Sequence, residues 1–496
     1  MNLAKAGRGA NTRYFLLGTR YSVLGTRYSV LYSCGVRQLV RQHFRFFLVA
    51  TAAAFALRLL FLWKFSFVEG DSLIYGDIAK NWLQHGAFAM TEEGALVPTC
   101  IRLPGYPAFI GLIWKVAGID HYKAVMVAQM FFDVGTCYLV AALARLVLWE
   151  RATLAAFLLY ALNPYTANYV ATPLSETLAI FFTALALLFA VKGLPPPQNR
   201  EAWSTRSWIF CGLAIAAGIL LRPDAGILLA AICGYLAIEF FRRPDKLRIA
   251  SAIVVVAVIS LAPLVPWTVR NWRLFHVFQP LAPRYANNPW EFLAAGFNRW
   301  TKTWLVDYVS VEDIYWNVPG DQIDVNKLPP RAFDSAEQRA LTERLFADYN
   351  ATCVRYCQMT PEIDARFASL AAERIHDAPL RYYLWLPLAR ASDMLLRPRT
   401  EALPLDSHWW RFRSDPRDSS ISLLLGAINL GYLLAAALGL ARRRVAYAGL
   451  FVLWIVLRCG FLATLENPEP RYTLECFPIV CVFAAAGMAR KPAVET

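Results

Sequence analysis

The sequence predicts an all-α protein that crosses a membrane many times. Of its 496 residues, 57% are hydrophobic and only 17% are charged, far from the balance of a soluble globular domain. Apolar runs of about 17 to 25 residues, the length that a bilayer core of about 30 Å requires of a helix, recur along the chain. We expect about ten spanning helices, at residues 46–66, 125–148, 152–171, 174–192, 206–221, 223–241, 249–269, 420–441, 446–464 and 472–489.

The chain divides into four predicted regions. Residues 1–36 are basic and hold two tandem copies of Leu-Gly-Thr-Arg-Tyr-Ser-Val at 17–30, so we expect a low-complexity, disordered segment without function. Residues 37–269 form an N-terminal transmembrane core whose first outer loop spans 67–124. Residues 270–419 form an extracytoplasmic loop or lid, and residues 420–496 carry the C-terminal transmembrane helices.

Two apolar segments allow more than one topology. Residues 206–221 and 223–241 are separated only by Arg222, so they form one broken helix or two spans, and two spans fit the charges better. Residues 103–118 are apolar enough to span, but a span there would turn the basic loops that follow to the outside. We therefore predict a helix on the outer membrane face.

The formal charge of +14 would suit a nucleic-acid-binding protein, but the basic residues collect in alternate loops. This is the positive-inside pattern of a multi-pass protein of the plasma membrane. It predicts that both termini are cytoplasmic and that the partners are membrane lipids and not nucleic acid. Loops 67–124 and 270–419 are predicted to lie outside, together with the turns near Pro173, Arg222 and 466–470. The basic residues are Arg37, Arg41, Arg45, Arg145, Arg151, Lys192, Arg200, Arg206, Arg242, Arg243, Lys246, Arg248, Arg442, Arg443, Arg444, Arg490 and Lys491.

The long outer loop is predicted to be helical. Residues 335–360 and 361–376 have helical spacing, and residues 379–396 read as an amphipathic helix at the membrane interface. Cys353 and Cys357, four residues apart, either form a disulfide in an oxidising compartment or lie side by side on one helix.

Two acidic residues at the outer face are candidates for chemistry. Asp71 follows a glycine at the start of a helical pattern, so it is either an N-cap residue or a general base or metal ligand. Glu69 is the second candidate for the chemical role. Glu176 lies at the outer end of an apolar span, where burial of a carboxylate is costly. We favour a functional role for Glu176 over a simple helix-start signal.

Asp133 differs from these acids because it lies inside a predicted span. A carboxylate there cannot cap a helix and requires a buried partner. Arg58 and Arg458, also within spans, are the candidates, and a structural ion pair is the alternative to a functional role.

Five arginines are predicted near the outer face, against the positive-inside trend. Guanidinium groups bind phosphate oxygens in a bidentate manner, although snorkelling at the interface is the alternative for each one. Their number beside carboxylates favours an anionic lipid headgroup as ligand. They are Arg102, Arg222, Arg270, Arg458 and Arg471.

Several common motifs are missing from the sequence. It contains no P-loop, no His/Cys metal cluster, no nucleotide-binding fingerprint and no obvious inverted repeat. The energy for any reaction must therefore come from the substrate itself.

The order of the polar motifs resembles that of bacterial GT-C membrane glycosyltransferases, relatives of the protein O-mannosyltransferases and the lipid A aminoarabinose transferases. The resemblance extends from about residue 44 to residue 490, and the set of motifs in order on the predicted sides makes it specific. The motifs are Gly70-Asp71-x-x-x-Tyr75, Arg102-x-Pro104-Gly105-Tyr106-Pro107, Leu174-Ser175-Glu176-Thr177, Leu221-Arg222-Pro223, Pro266-Trp267-Thr268-Val269-Arg270-Asn271 and Glu469-x-Arg471-Tyr472.

The resemblance implies a GT-C-like fold with outer-face juxtamembrane helices and a polyprenyl-phosphate-linked sugar as donor. Asp71 matches the family's catalytic aspartate and Glu176 a second acidic position. Ser72 replaces the family's adjacent glutamate, which leaves metal use open, with Asp71 and Glu176 as the ligands of any divalent cation. The residues predicted to bind substrate are Glu69, Tyr75, Arg102, Tyr106, Arg222, Arg270, Arg458, Arg471 and Tyr472.

The predicted function is transfer of a sugar to an acceptor hydroxyl at the extracytoplasmic face. Such a transfer needs a base for the hydroxyl proton and cationic help for the leaving phosphate. Asp71 supplies the base, with Glu176 as its partner, and Arg270 or Arg471 supplies the cation. A single displacement inverts the configuration at the anomeric carbon.

Two alternatives stay open at this stage. The acceptor is a protein, or else lipid A or a surface glycan. A membrane transporter or lipid flippase is the alternative class, but its charged residues would lie deep in several spans, whereas the acids here gather at one face.

Overall fold

The computed structural model describes residues 36–195 and 203–490. Most of the predicted disordered segment 1–36, together with Arg200 and Lys491, lies outside the described residues.

In the N-terminal half, the residues that the structure describes form helices and one hairpin. Its helices are α1 (Val36–Gln42), α2 (Phe44–Lys64), α3 (Asp71–His85), α4 (Gly105–Ala117), α5 (Tyr122–Val147), α6 (Glu150–Ala161), α7 (Pro164–Asn168), α8 (Glu176–Gly193), α9 (Thr205–Leu221), α10 (Gly226–Arg242), α11 (Lys246–Leu261) and α12 (Leu264–Phe275). The hairpin pairs β1 (Ala89–Glu92) with β2 (Ala95–Pro98).

The rest of the described chain is also helical. It contains α13 (Ala295–Thr301), a short turn at Tyr308–Tyr315, α14 (Ala336–Ala351), α15 (Pro361–Asp377), a π-helical turn (Arg381–Trp385) that leads into α16 (Leu386–Leu396), α17 (Pro416–Arg442), α18 (Ala448–Leu462), a 3-10 helix (Pro470–Cys476) and α19 (Phe477–Met488). The predicted all-α membrane fold is confirmed, and the segment 103–118 is the helix α4.

Fewer helices than predicted are long enough to span a bilayer. Within the described residues, seven segments qualify by length and composition: Phe44–Lys64, Tyr122–Val147, Glu176–Gly193, Pro223–Arg242, Lys246–Phe275, Pro416–Arg442 and Pro470–Met488. Thr205–Leu221 and Ala448–Leu462 are shorter apolar helices. Residues 206–221 and 223–241 form two helices, as the charges indicated.

The predicted span 152–171 is broken, and its sequence explains why. Helix α6 ends at Ala161, and the side-chain oxygen of Asn163 accepts hydrogen bonds from the backbone N–H groups of Tyr165 and Thr166, which caps α7. Pro164 occupies the first position of α7, where its missing N–H costs nothing. The expectation of one continuous helix here was therefore wrong.

The membrane helices pack closely where small residues face each other. Helix α17 lies along α19, and α8 packs between α5 and α9. A Cβ atom on Gly439 would lie 1.8 Å from the carbonyl oxygen of Phe483, so only glycine fits at this crossing.

The predicted lid region has a hydrophobic core of its own. Trp300, Trp304, Phe346 and Phe367 are fully buried together, and Leu370 and Ala371 of α15 are buried with them. Cys353 and Cys357 form a disulfide after the end of α14, so the predicted helix 335–360 stops short of them.

Candidate active site

Asp71 is the first residue of α3, and its carboxylate faces two arginines. Gly70 occupies the N-cap position with a φ of 53°, a conformation suited to glycine, so the N-cap interpretation of Asp71 was wrong. Oδ1 of Asp71 accepts a hydrogen bond from Arg102 Nη2 at 2.6 Å. Oδ2 accepts one from Arg471 Nη2 at 3.4 Å.

Glu176 begins α8 and is buried, with 4% of its surface exposed. Its Oε1 accepts a hydrogen bond from Arg222 Nη1 at 2.7 Å and lies 3.7 Å from Arg471 Nε. Arg471 therefore bridges Asp71 and Glu176, the two carboxylates that sequence analysis selected.

Arg222 also forms ion pairs with a group of residues other than Glu176. Its Nε lies 3.2 Å from Asp224 Oδ1 and 3.9 Å from Glu475 Oε1. Arg458 contacts the same two acids, at 3.1 Å and 2.6 Å, and is fully buried. These four residues, the Arg222 ring, fix the guanidinium that contacts Glu176.

Arg471 has a third acidic neighbour, and an aromatic ring lies beside it. Glu469 Oε2 lies 2.5 Å from Arg471 Nε. The ring of Tyr472 lies 5.4 Å from Arg471 and 5.2 Å from Arg222, within cation–π range of both. Tyr472 also donates its hydroxyl hydrogen to Glu469 Oε1 at 2.5 Å.

Two tyrosines form the wall behind Arg102. The ring of Tyr75 lies 5.6 Å from the guanidinium, and Tyr106 meets Tyr75 edge to face at 4.8 Å. The hydroxyl of Tyr106 hydrogen-bonds Gln129 Oε1 at 2.5 Å, and Gln129 in turn donates to the carbonyl of Thr172. These contacts join α3, α4, α5 and the start of α8.

Arg270 and Glu69, also predicted to bind substrate, do not join this cluster. Arg270 donates to the carbonyl oxygens of Phe88 (2.7 Å) and Thr99 (2.8 Å) at the two ends of the hairpin. Glu69 is exposed, and its backbone carbonyl accepts the N–H of Ser72. In the structure Arg270 therefore contacts backbone carbonyl groups, and its role in phosphate binding stays a prediction.

Asp133 has the partner expected of a carboxylate inside a span. Its Oδ2 lies 2.6 Å from Arg58 Nη2, and both side chains are fully buried. The hydroxyl of Tyr160 donates to Oδ1 at 2.9 Å. Of the two partners predicted, Arg58 is correct, while Arg458 belongs to the Arg222 ring.

The electrostatics of the cluster keep Asp71 ionised. Burial alone would raise the pKa of Asp71, but the positive charges of Arg102 and Arg471 together lower it by more than burial raises it. The pKa of Asp71 therefore lies below its ordinary value of 3.8. Burial also raises the pKa of Glu469 in spite of Arg471. Five carboxylates contact four arginines in the described cluster: Asp71, Glu176, Asp224, Glu469 and Glu475 with Arg102, Arg222, Arg458 and Arg471.

The arrangement does not match a metal site among the described residues. They include no group of three or more His, Cys, Asp or Glu side chains placed to hold a metal ion. A divalent cation bound by Asp71 and Glu176 would have to replace Arg471, which contacts both.

Three acids of the cluster were not among the predicted site residues. Glu475 lies within an apolar span, so the reasoning that selected Glu176 would have found it. Asp224 follows the motif Leu221-Arg222-Pro223 directly, and Glu469 is part of a quoted motif. Their partners are distant in sequence, so their contacts were not predictable.

Residues 98–267, about a third of the chain, match the model of a family described as dolichyl-phosphate-mannose-protein mannosyltransferase. This match confirms the resemblance predicted from the sequence: the chain is similar to GT-C membrane glycosyltransferases. No curated protein matches the chain.

Solved structures with a similar arrangement of helices include two kinds of protein. The archaeal oligosaccharyltransferase AglB from Archaeoglobus fulgidus, in complex with an inhibitory peptide and a dolichol-phosphate, aligns with a TM-score of 0.48 and 11% identity over 90% of this chain and 50% of that one. ArnT from Cupriavidus metallidurans, bound to undecaprenyl phosphate, aligns with a TM-score of 0.38 and 13% identity over 88% of this chain and 77% of that one. The chain thus spans half the length of the archaeal enzyme.

Proposed function

We propose that this protein is a membrane glycosyltransferase that moves a sugar from a polyprenyl-phosphate-linked donor to an acceptor hydroxyl at the extracytoplasmic face of the cell membrane. The observation that carries the proposal is the Asp71 carboxylate between Arg102 and Arg471, with Glu176 on the other side of Arg471. The family match over residues 98–267, which includes Arg102 and Glu176, supports the same activity.

The cluster supplies both groups that sugar transfer requires. Asp71, ionised at neutral pH, takes the proton of the acceptor hydroxyl as its oxygen attacks the anomeric carbon. The bond between that carbon and the phosphate oxygen breaks, and Arg102 and Arg471 stabilise the negative charge that develops on the leaving phosphate. A single displacement of this kind inverts the configuration of the sugar.

Donor binding and the release of Asp71 are linked by the shared arginines. With five carboxylates on four arginines, an incoming phosphate competes with carboxylates for the positive charge of the site. A phosphate that takes Arg102 or Arg471 frees an oxygen of Asp71. The base therefore becomes available when the donor is in place.

The experiment that tests the proposal is Asp71→Asn in the full-length protein. We expect sugar transfer from a polyprenyl-phosphate donor to fall by about 100-fold to 10,000-fold, because the amide cannot accept the proton, while membrane insertion is retained. Asp120→Asn is the matched control, since Asp120 pairs with Lys80 on the surface at 3.1 Å. Full activity of Asp71→Asn would refute the assignment.

A further inference from the structure

A second group of charged side chains lies beside the loop that carries Glu469 and Arg471. The carboxylate of Glu466, with 6% of its side chain exposed, accepts hydrogen bonds from Arg284 Nη2 at 3.1 Å and 2.8 Å. Lys302 Nζ lies 3.3 Å from the same carboxylate. Arg284, Lys302 and Glu466 are here called the Glu466 cluster.

The Glu466 cluster carries more positive than negative charge. Arg390, fully buried next to it, donates to the carbonyl oxygens of Leu305 and Lys302 and to no carboxylate among the described residues. Burial lowers the pKa of Arg390 to about 10. Burial also lowers the pKa of Lys302, and repulsion from Arg284 and Arg390 adds to this decrease. Three cations thus share one carboxylate.

Hydrogen-bond donors of the cluster remain available. Across the described chain, Glu466 is the only partner of Lys302 Nζ, which has three hydrogens to donate. Arg284 uses only Nη2, for Glu466 and the carbonyl of Thr464, and its side chain is 47% exposed. An anion that approaches from outside therefore meets unused donors and uncompensated charge.

We propose that the Glu466 cluster binds an anionic group, a phosphate or a carboxylate, carried by the acceptor substrate. The inference rests on the proposed function, because the donor phosphate is assigned to Arg102 and Arg471 and a second cationic site requires a second anion. Glu466 lies on the loop that leads to Glu469 and Arg471, and Lys302 follows α13 of the predicted lid region. This position suits a substrate held between the lid and the site.

The proposal is tested by phosphate binding with the donor site already filled. The full-length protein in phosphatidylcholine nanodiscs is saturated with polyprenyl phosphate and then titrated with inorganic phosphate, with chloride at equal ionic strength as reference. We expect Arg284→Gln/Lys302→Gln to weaken phosphate binding by about tenfold. Glu466→Gln is expected to tighten it, since the competing carboxylate is gone.

A matched control removes the same charge elsewhere on the predicted lid region. Arg339→Gln/Arg366→Gln breaks two exposed ion pairs, with Glu343 and Asp348, and is expected to bind phosphate like the unmodified protein. Equal phosphate affinity in the Arg284/Lys302 variant and this control would overturn the proposal. Weaker binding in Glu466→Gln would also overturn it, because that result indicates a merely structural cluster.

Two further readouts separate the possible sources of the anion. In transfer assays, Arg284→Gln/Lys302→Gln should raise the KM for the acceptor and leave the KM for the donor unchanged. A raised donor KM with an unchanged acceptor KM would contradict the assignment. If nanodiscs with phosphatidylglycerol abolish phosphate binding, a membrane lipid is the occupant and the proposal fails. Failure to bind polyprenyl phosphate at the first step would instead count against the proposed function.

Discussion

Arg471 lies within 4 Å of three carboxylates, and this sharing sets the properties of the residues around it. Asp71, Glu176 and Glu469 are 3.4, 3.7 and 2.5 Å from its nitrogens. A folded protein tolerates buried ions that are well paired, whereas removal of one partner leaves the charge of its neighbour buried without a countercharge. Substitutions in this cluster are therefore expected to act on more than one group.

The pH dependence of transfer follows from the low pKa of Asp71. In the proposed mechanism Asp71 acts as a base when it is deprotonated, so we expect activity to be lost as the pH falls through its pKa, which lies below 3.8. Arg102→Gln removes the arginine that lowers this pKa most, so the pKa rises and the acidic limb of the rate profile moves to higher pH.

The measurement is kcat/KM for the donor, which reports the groups of the free enzyme, between about pH 2.5 and pH 8, a range that extends below ordinary carboxylate pKa values. Asp120→Asn again serves as control, and its acidic limb should coincide with that of the unmodified protein. An acidic limb in Arg102→Gln at the same pH as in the unmodified protein would show that Asp71 is not the group that titrates.

At the level of elements, hydropathy predicted where helices occur but not where they break. Each of the ten apolar runs contains a helix, because run length and composition decide this locally. The break at Asn163-Pro164 and the hairpin turn at Glu93-Gly94 depend on single residues within or between such runs. Glu93 and Gly94 both have positive φ, as a two-residue hairpin turn requires.

The pair Arg58–Asp133 joins α2 to α5 inside the bundle, and its removal should destabilise the protein. Asp133→Asn leaves the buried guanidinium of Arg58 without a countercharge, a loss of about 3 to 5 kcal/mol in soluble proteins. We expect a lower Tm in detergent for this variant than for Arg58→Met/Asp133→Leu, in which no charge is left. Equal or higher stability of Asp133→Asn would contradict this role.

Arg270 offers a test of a structural against a substrate role. Its contacts with the carbonyls of Phe88 and Thr99 close the base of the hairpin, beside Asn271. Arg270→Gln is expected to speed hydrogen exchange of the backbone amides at residues 88–99, because two charge-assisted hydrogen bonds are lost. Unchanged exchange together with a raised donor KM would support the phosphate-binding prediction made from the sequence and contradict the structural role.

On the scale of the whole molecule, the site unites segments that the charge pattern had grouped on one side. Residues near 71, 102, 176, 222 and 471 meet in space, as expected for loops at the same end of the bundle. This grouping was predictable because the alternation of basic loops assigns every loop of a multi-pass protein to one side of the membrane. Which carboxylate pairs with which arginine depends on packing between distant helices and was not predictable.

The orientation in the membrane is open to a labelling experiment. Leu247 is 87% exposed in the first turn of α11, at an end predicted to be cytoplasmic, and Glu343 is exposed in the predicted lid region. In sealed right-side-out vesicles, an impermeant maleimide should label Glu343→Cys, and it should label Leu247→Cys only after permeabilisation. The opposite pattern would invert the topology and place the site in the cytoplasm.

The separation of Asp71 and Arg471 by 400 residues also has a consequence for how the protein is made. A ribosome delivers α3 and α8 to the membrane long before it reaches the arginine that bridges them. During that interval the carboxylates of Asp71 and Glu176 have fewer countercharges than in the finished protein. The complete cluster can therefore form only after synthesis has passed Arg471, just before the last helix, so chains that end before this residue are expected to lack the proposed transfer activity.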